Sequence, residues 1–180
     1  MKNKYIMIVR HFETFKGVEK IKFRESFEKS QLFINYIESF IDKYPEIKKI
    51  KFYTSNQERT IMTSIILSSN LKSEIINNNI FNLKIYDPVI NDNLDRDPKK
   101  IYKIKTCNYF KNIIDKSLDD KTLHIYVTHS SVIYNLFKCM LEYLTDSKID
   151  DFNKKIHSYS ISTIVGKNDR ISYSFNKKID

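Results

Sequence analysis

The chain has 180 residues, 41% hydrophobic and 13% aromatic, which suits one globular domain over 1–180 and excludes a disordered polypeptide. Lysine and arginine total 31 against 22 acidic residues, a net charge of +9, so an anionic partner fits better than a cationic one. The cations are spread along the chain rather than gathered in one tract, the pattern of a solvated basic surface. No nucleic-acid motif accompanies them and no apolar run approaches spanning length, so neither nucleic acid nor a membrane is expected as partner.

Only Met1-Lys2-Asn3-Lys4 precede the first apolar run, so no signal peptide is expected and a cytoplasmic location is the default. The run Tyr5-Ile6-Met7-Ile8-Val9 predicts a buried strand, ending abruptly in Arg10-His11. Residues 15–25 lack a clean period and read as a loop, with Gly17 and the cations Lys16, Lys20, Lys22 and Arg24. A helix is predicted over 26–43, with Phe33, Tyr36, Ile37, Phe40 and Ile41 on one face and a stop at Tyr44-Pro45. A second strand spans 48–55. Ser55 and Glu58 then have the spacing of a capping box, opening a helix to about 70 with Ile61, Ile65 and Ile66 inward.

Residues 82–87 predict a third strand and 88–98 a long loop carrying Asp92, Asp95 and Asp97. A basic amphipathic helix follows over 99–117, then a fourth strand over 122–128 with His129 at its end. The next helix carries a regular stripe of Ile133, Leu136, Phe137, Met140 and Leu141. Residues 160–165 and 170–175 predict a closing hairpin turned at Gly166-Lys-Asn-Asp169. Cys107 and Cys139 read as buried or half-buried free thiols.

Strands alternating with helices predict an α/β fold, a three-layer α/β/α sandwich with a largely parallel central sheet. Parallel strands bring Arg10-His11, Ser55 with Arg59, and His129 to one sheet edge, where such folds bind ligands. The set suits a phosphoryl group. Arginine forks bind non-bridging oxygens, helix N-termini add N–H donors, and a neutral imidazole nitrogen attacks phosphorus. No His/Cys/Asp cluster has metal spacing, so neither metal nor organic cofactor is expected.

Val9-Arg10-His11-Phe12-Glu13-Thr14 resembles the Arg-His-Gly-Glu-Thr signature of the histidine phosphatase superfamily, in its phosphoglycerate mutase-like branch. Ser55 to Ser64 is similar to that family's second block, in which a Ser precedes an Arg by four and a Thr follows four later. Val127 to Ile133 resembles its third block, a strand ending in a second histidine, and Ser158 to Asn176 its closing hairpin. The resemblance implies a phosphoglycerate mutase-like fold. It implies His11 as the nucleophile that becomes phosphohistidine, with Arg10, Arg59 and His129 gripping the phosphoryl oxygens. It also implies a carboxylic acid that protonates the leaving oxygen. Asp92, in Asp87-Pro88-Val-Ile90-Asn-Asp92, matches that position with Asp replacing Glu, and Asp95 and Asp97 are rivals.

The expected activity is hydrolysis of a small phosphorylated metabolite, because the mutases of the family carry longer insertions. Mutase-type transfer and non-catalytic binding of a phosphorylated ligand are the alternatives. Two departures bear on this. Phe12 stands where the signature has glycine, so its ring must turn away or narrow the pocket. Gly17 stands where the family often has a phosphate-touching Asn. Lys16, Lys20, Lys22 and Arg24 either favour a second anionic group on the substrate or are solvated. His124 and His157 match no block and are expected to be structural or peripheral.

Overall fold

A computed structural model describes residues 3–13, 23–55, 57–71, 84–85, 107, 121–150 and 155–179. In chain order the elements are β1 (Lys4–Arg10), α1 (Phe23–Lys43), β2 (Lys49–Thr54), α2 (Glu58–Asn70), β3 (Lys84–Ile85), β4 (Thr122–Thr128), α3 (Ser130–Thr145), β5 (Ser160–Lys167) and β6 (Arg170–Lys178). One sheet holds the strands in the order β3-β2-β4-β1-β5-β6. The pairs β3–β2, β2–β4 and β4–β1 are parallel, and β5 and β6 close the sheet antiparallel.

The sheet is sandwiched, as the alternation of elements predicts. β1 buries residues 5–9, with Tyr5, Met7 and Val9 in one hydrophobic cluster and Ile6 and Ile8 in the other. The first cluster takes Phe33, Ile34, Ile37, Phe40 and Ile41 from α1, plus Ile66 and Leu67 from α2. The second takes Ile133, Leu136, Phe137, Met140 and Leu141 from α3, the stripe read from the sequence. Each such side chain contributes roughly 1.5–3 kcal/mol on full burial, so the central strands are the most strongly held part of the sheet.

Register places the chemistry. Val9 sits opposite Val127 and Arg10 opposite Thr128, while Thr54 also sits opposite Val127. The pairing runs one residue further on each side: His11 N–H donates to the Thr128 carbonyl at 2.9 Å and Ser55 N–H to the Val127 carbonyl at 3.4 Å. β1, β2 and β4 therefore stop at the same level, and residues 11, 55 and 129 leave the sheet side by side.

Several local expectations are corrected. α1 starts at Phe23, three residues before the predicted start, with Glu25 in its first turn and Lys43 in its last, both favourable to the helix dipole. The N-cap of α2 is Gln57, without a side-chain cap bond; Ser55 is engaged elsewhere. The inward face of α2 is Thr60, Thr63, Ser64, Ile66, Leu67 and Ser68, whereas Ile65 is 38% exposed. Cys107 and Cys139 are not free thiols but a disulfide, with Cα atoms 5.4 Å apart. The hairpin turns on Asn168 and Asp169, both at positive φ (50° and 58°), as a two-residue turn of this hand requires. The 88–98 loop lies outside the described residues, as does the 99–117 helix apart from Cys107.

Candidate active site

His11 is the first residue past β1. Its Nδ1 lies 2.7 Å from the Phe12 carbonyl oxygen, which can only accept, so Nδ1 carries the hydrogen and Nε2 keeps its lone pair. Burial, and then the positive charges of Arg59 and Arg10, lower the His11 pKa to about 4, against the opposing pull of the Phe12 carbonyl. The imidazole is thus neutral at physiological pH and nucleophilic at one defined nitrogen.

Phe12 explains how that nitrogen is aimed. Its N–H donates to Thr63 Oγ1 at 3.0 Å, and Thr63 donates in turn to the Arg59 carbonyl at 2.7 Å. Its ring is fully buried in the cluster under α1 and α2, edge-on to Phe33 with centroids 5.4 Å apart and 5.9 Å from Tyr159. The ring turns into the core rather than into the pocket.

His129 is the N-cap of α3, and its ring centroid is 5.1 Å from that of His11. Burial, His11 and Arg59 together lower its pKa to about 3. Arg59 Nε donates to His129 Nδ1 at 3.3 Å, and Ser55 Oγ is 2.8 Å from His129 Nε2. The first turn of α3 carries no acidic residue, which leaves its dipole available to an anion. Arg10, partly buried at the end of β1, donates through Nη1 to the Ile156 carbonyl at 3.1 Å and to Ser158 Oγ at 3.3 Å. Burial lowers its pKa and the charge of Glu13 pulls the other way.

Four side chains from three separate stretches of the sequence thus come to one sheet edge: two guanidinium groups and two neutral imidazoles. Solved structures with this chain's architecture include YhfR of Bacillus stearothermophilus (14% identity, TM-score 0.58, 98% of each chain covered). Phosphoserine phosphatase of Entamoeba histolytica, solved with 3-phosphoglyceric acid, is similar at 11% identity and TM-score 0.57 over 97% of each chain. Phosphoglycerate mutase of Plasmodium falciparum is similar at 15% identity and TM-score 0.52, over 97% of this chain and 90% of that one. The chain shares the fold of these structures, a phosphoglycerate mutase-like fold. No family model matches it, and no curated protein matches it in sequence.

On this fold, Arg10, His11, Arg59 and His129 all reach the sheet edge expected from the sequence. Asp92, Asp95, Asp97, Gly17, Lys16, Lys20 and Lys22 lie outside the described residues. Arg24 is exposed and pairs with Glu28 at 3.5 Å, the solvated alternative for that cation. Among the described residues, no group of three or more His, Cys, Asp or Glu side chains could hold a metal ion. None of the described helices is long and apolar enough to cross a membrane. His124 is fully buried with Nδ1 2.9 Å from the Tyr53 hydroxyl, and His157 is exposed, its N–H donating to Asn176 Oδ1. The sequence reading missed the parts played by Thr63 and Ser158. Hydroxyls at 60, 63 and 64, on the face of α2 toward the sheet, are the signal that pointed there.

Proposed function

We propose that the protein is a phosphoryl-transfer enzyme that hydrolyses a small phosphomonoester through phosphohistidine at His11. In the first step His11 Nε2 forms the N–P bond as the P–O ester bond breaks. The leaving alkoxide takes a proton from a carboxylic acid, a role the sequence assigns to Asp92 with Asp95 and Asp97 as rivals. In the second step water attacks phosphorus, the N–P bond breaks, and inorganic phosphate leaves. Arg10, Arg59 and His129 hold the non-bridging oxygens and stabilise the charge of both transition states. Transfer needs no metal in this scheme, because the guanidinium groups of Arg10 and Arg59 supply the positive charge.

The observation that carries the reading is the His11 Nδ1–Phe12 carbonyl bond of 2.7 Å. It fixes the nucleophilic tautomer, beside the Arg59–His129 pair. A surface histidine has no need of such an arrangement. Mutase-type transfer through the same phosphohistidine is the alternative reading. The substrate would be a small phosphorylated metabolite.

The test is turnover of an aryl phosphate and of a metabolite panel in the presence of a chelator, beside His11→Ala. The expected result is turnover in the wild type, none in the variant, and acid-quench trapping of phosphohistidine. Equal rates in both proteins would remove the proposal. Asp92→Asn is expected to slow poor leaving groups more than aryl phosphates; an unchanged rate on both moves the acid elsewhere.

A further inference from the structure

The hydrogen-bond chain from Arg59 through His129 and Ser55 to Thr60 admits one arrangement of protons. Thr60 Oγ1 lies 2.7 Å from the Gln57 carbonyl oxygen and 2.9 Å from that of Ser55. Carbonyl oxygens only accept, so the single Thr60 hydroxyl proton is directed at them. Ser55 Oγ, 2.7 Å from Thr60 Oγ1, then donates its own proton to that oxygen. Having given its proton away, Ser55 Oγ offers only lone pairs to His129 Nε2 at 2.8 Å, so Nε2 carries the hydrogen. The other end gives the same answer. Arg59 Nε is a donor only, and at 3.3 Å from His129 Nδ1 it requires Nδ1 to accept. Ser55 and Thr60 are buried, which keeps water from offering competing partners.

We propose that Ser55, backed by Thr60, is a positioning residue that holds His129 as the Nε2–H tautomer with Nδ1 turned toward Arg59. The two histidines of the site are thereby held in opposite tautomers: His11 keeps its hydrogen on Nδ1 and His129 on Nε2. The consequence rests on the phosphoryl-transfer reading. A lone pair on Nδ1 repels an anionic oxygen, so His129 grips a phosphoryl oxygen only once Nδ1 has taken a proton, which the singly protonated phosphomonoester gives up from its P–OH group as it binds. Arg59 then releases Nδ1 and turns its fork to the phosphoryl group. Ser55 remains the fixed acceptor for Nε2–H throughout, so the ring does not have to reorient as its charge changes. His11 from the end of β1 and Arg59 from α2 are the titratable and charged groups set against His129 among the described residues.

The test uses protein labelled with ¹⁵N-histidine and long-range ¹H–¹⁵N spectra, with kinetics on an aryl phosphate alongside. In the wild type, His129 is expected to show a pyridine-like Nδ1 and a pyrrole-like Nε2. Ser55→Ala is expected to give mixed tautomers and to lower kcat about tenfold with KM nearly unchanged, the scale on which losing an orienting partner is felt. Ser55→Thr restores both. Thr60→Val keeps the buried volume but frees the Ser55 proton to point at Nε2, so His129 shifts toward the Nδ1–H form. A pyrrole-like Nδ1 in the wild type overturns the proposal, as do unchanged signals in both Ser55→Ala and Thr60→Val. The tautomer is read without turnover. A protein with the expected signals that hydrolyses no phosphomonoester therefore removes the phosphatase reading and supports the positioning role.

Discussion

The Phe12 ring meets Phe33 edge-on at 5.4 Å, so the bulky residue beside the nucleophile is anchored in the core under α1. Three ties converge on Phe12: the ring packing, its N–H on Thr63, and its carbonyl on His11 Nδ1. Tyr159, at a positive φ of 52° rare for an aromatic residue, packs against the same ring. Replacing Phe12 by Ala removes a fully buried ring and is expected to destabilise the fold by about 3–5 kcal/mol. It also loosens the carbonyl that orients His11, so kcat falls at temperatures where the variant is still folded. Urea unfolding and kinetics on the same preparation check this. A variant that stays as stable as the wild type contradicts it.

Arg59 serves two partners through different atoms. Its Nε faces His129, and the rest of its fork is available to a phosphoryl group. Arg59→Ala is expected to lower kcat/KM by about 10²–10³, the cost of one preorganised donor to a developing anion. Arg59→Lys is expected to recover little, because one ammonium cannot fork two phosphoryl oxygens as a guanidinium does. Stability should change by less than about 1 kcal/mol, since the side chain is only partly buried. Full activity in Arg59→Lys would show that charge alone suffices.

The parts of the fold legible in the sequence are those where burial and apolarity coincide. β1 and β4 are buried along their lengths, and α3 repeats apolar residues at helical spacing, so their residues state their places. α2 misleads because its inward face is built of hydroxyls that bond back to their own helix. Thr63 donates to the Arg59 carbonyl, Ser64 to Thr60 at 2.9 Å and Ser68 to Ile65 at 3.2 Å. Satisfied in this way, those hydroxyls are buried without penalty while Ile65 faces outward. Ser55 has cap spacing, yet a cap bond loses to two closer partners, Thr60 and His129, that come from folding rather than from local sequence. The placement of Arg10, His11, Arg59 and His129 at one edge was legible because each ends a strand or opens a helix. Their mutual distances depend on strand register, which no local pattern encodes.

The Cys107–Cys139 bond ties a segment before β4 to the buried side of α3. It closes a loop with a sequence separation of 32 residues, for which chain entropy predicts a stabilisation of roughly 3–4 kcal/mol. Adding reductant should therefore lower the unfolding midpoint of the wild type but not that of Cys107→Ser. Thiol titration of the unfolded, unreduced protein should find no free thiol. Two titratable thiols, with a midpoint indifferent to reductant, would return both cysteines to the free state.

The histidine pair gives the protein a defined response to acid. His11 and His129 are lowered to about 4 and about 3, chiefly by burial, whereas an unfolded histidine titrates near 6.5. Between about pH 4 and 6.5 the unfolded chain therefore binds more protons at these positions than the folded one. Stability is then fully present above about 6.5 and falls as pH drops through that window, by up to about 1.4 kcal/mol per pH unit for each histidine. Urea midpoints measured from pH 7 to 4 should fall in the wild type and fall less steeply in His129→Gln. For activity the same shift moves the acid limb to lower pH than an ordinary histidine would give. His11 stays unprotonated and nucleophilic well below pH 6.5, so kcat/KM should keep its value to about pH 5 and drop only as His11 takes its proton near 4. An acid limb centred near 6.5, with His11 confirmed as nucleophile, would mean that the imidazole is better solvated than its burial implies.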